Sequence, residues 1–204
     1  MGNNFASTPT FSIDAWVKID SGDTSSMTPV AKHWATVNQG YYLSVNNVFD
    51  GCTQANLAGF RSLGAGGCAT AVGEPVVNDG LWHQLVGVYN NGTANLYVDG
   101  NLAASTQNNG YSNNSADFIV GGLFNANGQP TTLFHGLIDE VEVYNNALSG
   151  NDVRALYDSY TQTTVPEPST IFLFSIGIAG LVGTRIRKKP GRVRTIRASL
   201  RLSN

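Results

Sequence analysis

The sequence predicts an all-β body, a sandwich of two antiparallel sheets, on three observations. Phe11 to Asp20 alternates so that Phe11, Ile13, Ala15, Val17 and Ile19 share one face, the period of a half-buried strand. Asn90-Asn91-Gly92-Thr93 and Asp99-Gly100 supply the positive-φ residues that tight hairpins demand. Short apolar runs then recur with turn residues between them, a spacing that suits a sandwich.

Taken in order, Tyr41 to Val45 forms a second short strand. Leu85–Tyr89, Ala94–Val98 and Asn101–Ser105 make a three-stranded meander across the two turns. Asp117–Gly122 and Leu133–Tyr144 add two more strands. One helix closes the body: Ser149 and Asp152 fit an acidic capping box, and Val153, Leu156, Tyr157 and Tyr160 come after it at helical spacing. That apolar stripe packs one end of the sandwich.

Charge separates this body from the C-terminal part of the chain. Only 13% of the 204 residues are charged, and the net charge is -2. Residues 1–164 nevertheless balance at -9, and the last 20 residues carry eight Lys/Arg and no acid. An acidic body without a basic stripe excludes nucleic acid as a partner. The chain therefore divides into a body over 1–160, a Pro-containing linker over 161–169, an uncharged apolar stretch over 170–184 and a basic tail over 185–204. As a helix the apolar stretch spans ~22 Å, short of the ~30 Å hydrocarbon core unless Arg185 and Lys188 snorkel. With that help it is expected to form a single C-terminal transmembrane helix. Arg185, Arg187, Lys188 and Lys189 would stop transfer and stay in the cytoplasm, leaving the body outside.

Cys52 and Cys68 flank a Gly-rich stretch. They lack the four-ligand pattern of a zinc site. Either they stay as unpaired buried thiols or they form a disulfide. The disulfide is expected, because nothing else in the sequence would hold a flexible loop, and it would contribute roughly 3 kcal/mol in an oxidising compartment.

Three segments carry a family resemblance: Asp79-Gly80 with Trp82-His83, the Leu96–Gly100 hairpin, and Gly136-Leu137-Ile138-Asp139-Glu140-Val141-Glu142-Val143-Tyr144 running on to Ser149. Together they resemble the concanavalin A-like, laminin-G type (LamG-like) jelly-roll family. The resemblance covers roughly residues 10–160. It implies an antiparallel jelly-roll β-sandwich that binds glycans or proteins, with a structural calcium. The segment Val165-Pro166-Glu167-Pro168-Ser169-Thr170, the apolar stretch and the cations from Arg185 resemble a PEP-CTERM sorting signal. That resemblance implies recognition by an exosortase in bacteria that make extracellular polysaccharide, and a place in the cell envelope with the C-terminus anchored transiently or permanently. Met1-Gly2-Asn3-Asn4-Phe5 has neither a basic start nor an apolar core, so no signal peptide is expected in this chain. The family's additional N-terminal strand is also expected to be missing.

Catalysis is the weaker reading. Retaining glycoside hydrolysis needs two carboxyl groups about 5 Å apart, and strict alternation sets Glu140 and Glu142 on one face with Asp139 on the other. The related glucanases carry Glu-hydrophobic-Asp-X-X-Glu, and here Leu137 stands where the first Glu would be. His83 is expected to be a hydrogen-bonded structural residue, and His135 opens the Asp139 strand.

The same alternation puts Asp139 among Leu137, Val141 and Val143, against the core, where a carboxylate needs hydrogen bonds, a cation or a proton. The resemblance suggests calcium as that cation. The alternative is a local bulge that turns Asp139 toward backbone N–H groups. Trp34 is the best exposed sugar-stacking candidate, whereas Trp16 and Trp82 are assigned to core packing. Asn108, Asn109, Asn113 and Asn114 form a polar loop suited to hydroxyl recognition, with Asn109 and Asn113 as candidate ligand residues. The expected function is a non-catalytic module for extracellular polysaccharide or a surface protein. The alternatives are a structural matrix or adhesion component, and a glycoside hydrolase.

Overall fold

A computed structural model describes residues 10–34, 36, 39–46, 57–64, 67–107 and 111–161, with the backbone alone for residues 34 and 67–73. The chain divides into two compact units, residues 1–161 and 162–204. The linker from residue 162, the sorting motif, the apolar stretch 170–184 and the four stop-transfer cations lie outside the described residues. Among the described residues no helix is long and apolar enough to cross a membrane.

In chain order the first unit holds β1 (Thr10–Lys18), β2 (Met27–Trp34), β3 (Gln39–Val45), β4 (Leu57–Gly64), β5 (Gly67–Val76), β6 (Trp82–Asn90) and β7 (Thr93–Val98). It continues with β8 (Asn101–Gln107), β9 (Ile119–Val120), β10 (Leu123–Phe124), β11 (Pro130–Thr131), β12 (Leu137–Tyr144) and α1 (Gly150–Thr161). Two five-stranded antiparallel sheets result, ordered β12-β1-β6-β7-β8 and β5-β4-β3-β2-β9, with β10 and β11 paired separately. The all-β sandwich with one short helix is thus present.

The alternation of β1 decides which face is core. Phe11, Ile13, Ala15, Val17 and Ile19 are fully buried with Tyr41, Leu43, Phe60, Leu85 and Leu96. Phe11 anchors an aromatic cluster, its ring centroid 4.7 Å from Tyr41, 5.6 Å from Tyr89 and 4.8 Å from Tyr111. Gly87 lets the sheets close here: a Cβ on it would lie 2.3 Å from the Phe60 ring. The meander turns at Asn91 and Gly92 (φ 44° and 95°) and at Asp99 and Gly100 (φ 51° and 73°). Ser149 caps α1: the Asp152 N–H donates to its Oγ (3.2 Å), and its own N–H donates to the Asp152 carboxylate (2.9 Å).

Besides the two-residue strands β10 and β11, three longer strands escape the sequence pattern. β2 holds Pro29 and Lys32. The proline sits within a register shift between Met27 and Val30, where a missing N–H is tolerated, and its carbonyl accepts from Gly121. β4 and β5 are Gly- and Ala-rich and lack clear alternation. They nevertheless form a hairpin that runs from Leu57–Val76 to Gly64–Gly67. Most of the stretch between the cysteines, read as a flexible loop in need of a clasp, is therefore held by a strand ladder. Cys68 pairs with Leu63 through its backbone, and Cys52 lies outside the described residues.

Candidate functional site

A cleft of mixed polarity opens beside the end of β2. His33, Ser115, Asp117, Ile119, Phe124 and Asn125 help to line it, and its volume is about 360 Å³. Phe124 is 44% exposed, an apolar surface ringed by groups able to hydrogen-bond.

The wall formed by residues 114–117 is pinned from inside. In register with Tyr41, Lys32 points to the core side of β2 and is fully buried. Its Nζ donates to the carbonyl of Asn114, to Asn114 Oδ1 (3.2 Å) and to the carbonyl of Ala116 (3.1 Å). Burial pulls the Lys32 pKa below the ordinary lysine value, and Asp117 pulls the other way. Asn114 completes the joint: its Nδ2 donates to the Gln39 carbonyl (2.7 Å), and its Oδ1 accepts from the Ala116 N–H (2.9 Å). Gly40 leaves room for this, since a Cβ there would sit 2.5 Å from Asn114 Nδ2.

Of the polar loop, then, Asn114 is the organising residue. Asn113 is exposed and accepts from the Asn114 N–H (2.9 Å), a turn-forming contact, and it does not line the cleft. Asn109 lies outside the described residues. Trp34 ends β2 with its backbone paired to Gln39, and its side chain is outside the description. Lys32 carries no sequence signal, because a lone lysine in a polar-looking segment reads as solvated surface.

Asp139 is not buried against the core. In β12, Trp16 pairs with Asp139 and Asp14 with Glu142, so two residues of β12 face Ala15 alone. This bulge centres on Glu140 (φ 47°) and shifts the phase. Val141 and Val143 pack on the core, whereas Leu137 (58% exposed) and Asp139 turn outward. Asp139 Oδ1 accepts from the Glu140 N–H (2.9 Å). Calcium requires six to eight oxygens, and among the described residues no group of three or more His, Cys, Asp or Glu side chains comes together to hold a metal. The bulge also places Asp139 and Glu142 on one face, reversing the separation that strict alternation predicts. Trp82 is likewise not core: it is 40% exposed, while Trp16 is 8% exposed and stacks on Tyr157.

Residues 2–154 match the family model described as the concanavalin A-like lectin/glucanases superfamily, three quarters of the chain. The chain belongs to that superfamily. Residues 164–188 match the PEP-CTERM protein-sorting motif. Among solved structures, the lectin/glucanase fold is shared with the binding domain of Paraclostridial Mosquitocidal Protein 1 (16% identity, 78% of this chain and 39% of that one, TM-score 0.58). It is shared with the SAP-like pentraxin of Limulus polyphemus (12% identity, 75% and 71% covered, TM-score 0.57). A putative carbohydrate binding protein from Bacteroides ovatus also shares it (21% identity, 74% and 40% covered, TM-score 0.56). The chain spans about two fifths of the first and third of these. No curated protein is a significant match.

For this lectin/glucanase domain, glucanase chemistry would require an accessible pair of carboxyl groups. Asp14 is only 1% exposed, and burial pushes its pKa up to about 7, with neighbouring Glu142 adding to the rise. Gln84 Nε2 donates to its Oδ2 (2.8 Å), and among the described residues its Oδ1 meets no donor at hydrogen-bond geometry. The Glu142 carboxylate accepts from the Tyr144 hydroxyl. Asp14 and Glu142 therefore do not form such an accessible pair. His83 is the structural residue expected: its ring nitrogens lie 2.8 Å from Asp99 Oδ2 and 3.1 Å from Asp79 Oδ1, and the Asp99 contact raises its pKa. His135 is exposed, its Nδ1 3.5 Å from Asp23 Oδ2.

Proposed function

We propose that the protein is a non-catalytic carbohydrate-binding domain displayed at a bacterial cell envelope, where the cleft beside β2 takes a length of extracellular polysaccharide. The observation that carries this reading is the Phe124 cleft with its Lys32-pinned wall. An exposed ring suits the apolar face of a pyranose, and Ser115, Asp117 and Asn125 are suited to its hydroxyls. Membership of a lectin-containing superfamily and the likeness to a putative carbohydrate binding protein support it.

The PEP-CTERM segment acts as the address: Pro166-Glu167-Pro168 presents a site to an exosortase, residues 170–184 hold the chain in the bilayer, and Arg185, Arg187, Lys188 and Lys189 stop transfer. In an exported protein Cys52 and Cys68 are oxidised together.

Calorimetric titration of the full chain with polysaccharide from its host tests the binding half. Phe124→Ala is expected to weaken binding about tenfold or more, roughly 1.4 kcal/mol. No binding by the folded parent overturns it in favour of a matrix component without a ligand. Replacing Pro166-Glu167-Pro168 with alanines is expected to leave the protein uncut in the host, and identical processing on a blot refutes the sorting half.

A further inference from the structure

A second concavity lies on the outer face of the other sheet, where α1 ends. Trp16, Trp82, Asp139, Glu140, Tyr160 and Thr161 line it, and it encloses about 310 Å³. Its walls are set by the strand register: Trp16 of β1 stands opposite Asp139 on one side and Gln84 on the other, and Trp82 is two residues from Gln84 on the same face of β6. The Glu140 bulge keeps Asp139 on this face, and Tyr160 reaches over from α1 to donate to Glu140 Oε2 (3.2 Å). The Tyr160 ring also meets Trp16 edge-on, with centroids 5.8 Å apart.

Three properties of this pocket point to one ligand chemistry. Trp82 and Tyr160 are 40% and 37% exposed, so two aromatic surfaces are open to solvent. Among the described residues no cation pairs with Asp139 or Glu140: the ion pairs of this unit engage other carboxylates, and these two accept only from the Glu140 N–H and the Tyr160 hydroxyl. Finally, Trp16 is more than nine-tenths buried, yet among the described residues its Nε1–H has no acceptor. A buried N–H left without a partner costs ~1–3 kcal/mol, which a bound acceptor would recover.

Aromatic faces beside unpaired carboxylates favour a cation. An orphaned indole N–H favours a neutral oxygen on the same molecule. We propose that this pocket binds a protonated amino sugar unit: its ammonium sits against Asp139 and Glu140, its ring lies on Trp82, and one of its oxygens accepts from Trp16 Nε1–H. The site is separate from the Phe124 cleft and stands or falls without it.

The test uses the full chain in detergent at mildly acidic pH, titrated calorimetrically with three β-1,4-linked tetramers: glucosamine, N-acetylglucosamine and glucose. These differ only at the second carbon, so a preference among them reports the amine. The glucosamine tetramer is expected to bind at least about tenfold more tightly than the other two. The Asp139→Asn/Glu140→Gln double variant should abolish that preference, and Trp82→Ala should weaken binding by a similar factor. All three positions are exposed, so an unchanged melting temperature certifies the variants as folded. On titration the Trp16 Nε1–H resonance should shift in the parent. Equal affinity for the three tetramers, or a preference that survives the double variant, overturns the proposal. So does binding of a lysine oligomer where the glucosamine tetramer does not bind, which would assign the pocket to a protein partner's side chain.

Discussion

The two sheets of this sandwich each hold a charge-bearing residue that is almost wholly buried, and they treat it in opposite ways. Lys32 in the β2 sheet is fully buried, and its ammonium meets three oxygens from Asn114 and Ala116. Asp14 in the β1 sheet is 1% exposed and receives one amide hydrogen from Gln84. The first is a satisfied cation that fixes a loop and so shapes a cleft. The second is under-satisfied, and it answers by holding its proton up to about pH 7. Burial alone does not tell a structural charge from a pH-sensitive one; the count of matched partners does.

Breaking the satisfied charge should have the larger effect. Lys32→Ala takes the ammonium from two backbone carbonyls, leaves Asn114 Oδ1 with the Ala116 N–H alone and empties a core position, and we expect a loss of ~3 kcal/mol in urea unfolding together with loss of glycan binding. Lys32→Met restores the volume and so recovers part of the stability, but leaves the wall of the cleft unpinned and binding impaired.

The under-satisfied charge should give a smaller effect of opposite sign. Between about pH 4 and pH 7 native Asp14 keeps a proton that the unfolded chain, with an ordinary carboxylate value of ~3.9, has lost. Stability therefore falls as pH rises through that window. His83 acts in the same direction, because its raised pKa stabilises the fold below its unfolded value of ~6.5 and that contribution is lost as pH rises through the folded one. Asp14→Asn should stabilise the protein by ~2 kcal/mol above pH 7, change little below pH 4, and flatten the dependence of Tm on pH. A parent protein more stable at pH 8 than at pH 5 would refute this assignment.

Two smaller changes sharpen the contrast. Ser149→Ala removes the cap of α1, the helix whose Val153 packs on Val86 and Val88 of the same sheet face, and should cost ~1 kcal/mol. Asp139→Asn lies on the surface and should stay within ~0.5 kcal/mol of the parent, with or without a chelator.

How much of this is legible in the sequence depends on whether a residue obeys its local period. The alternation of Phe11 to Ile19 reveals the core face of β1, and Asn91-Gly92 and Asp99-Gly100 reveal the meander, because these signals are local. β4 escapes because Ala58, Gly59 and Ser62 offer no alternation, and β2 because its inward residue is a lysine. Strict alternation puts Asp139 on the wrong face through one extra residue in the strand: the bulge depends on pairing with β1, which no local pattern reveals. The same bulge hides the Trp16 pocket from a sequence reading. The cleft is half visible, since the Asn-rich loop stands out but the residue that matters there, Asn114, differs from its neighbours only in having Lys32 beneath it.

The most direct test of the central claim is amide chemical-shift mapping of the full chain during titration with host polysaccharide. The account predicts perturbations clustered at residues 115–117 and 124–125, with Asn114 and the Lys32 side chain responding behind them. Saturable binding whose shifts avoid this cleft altogether would contradict it.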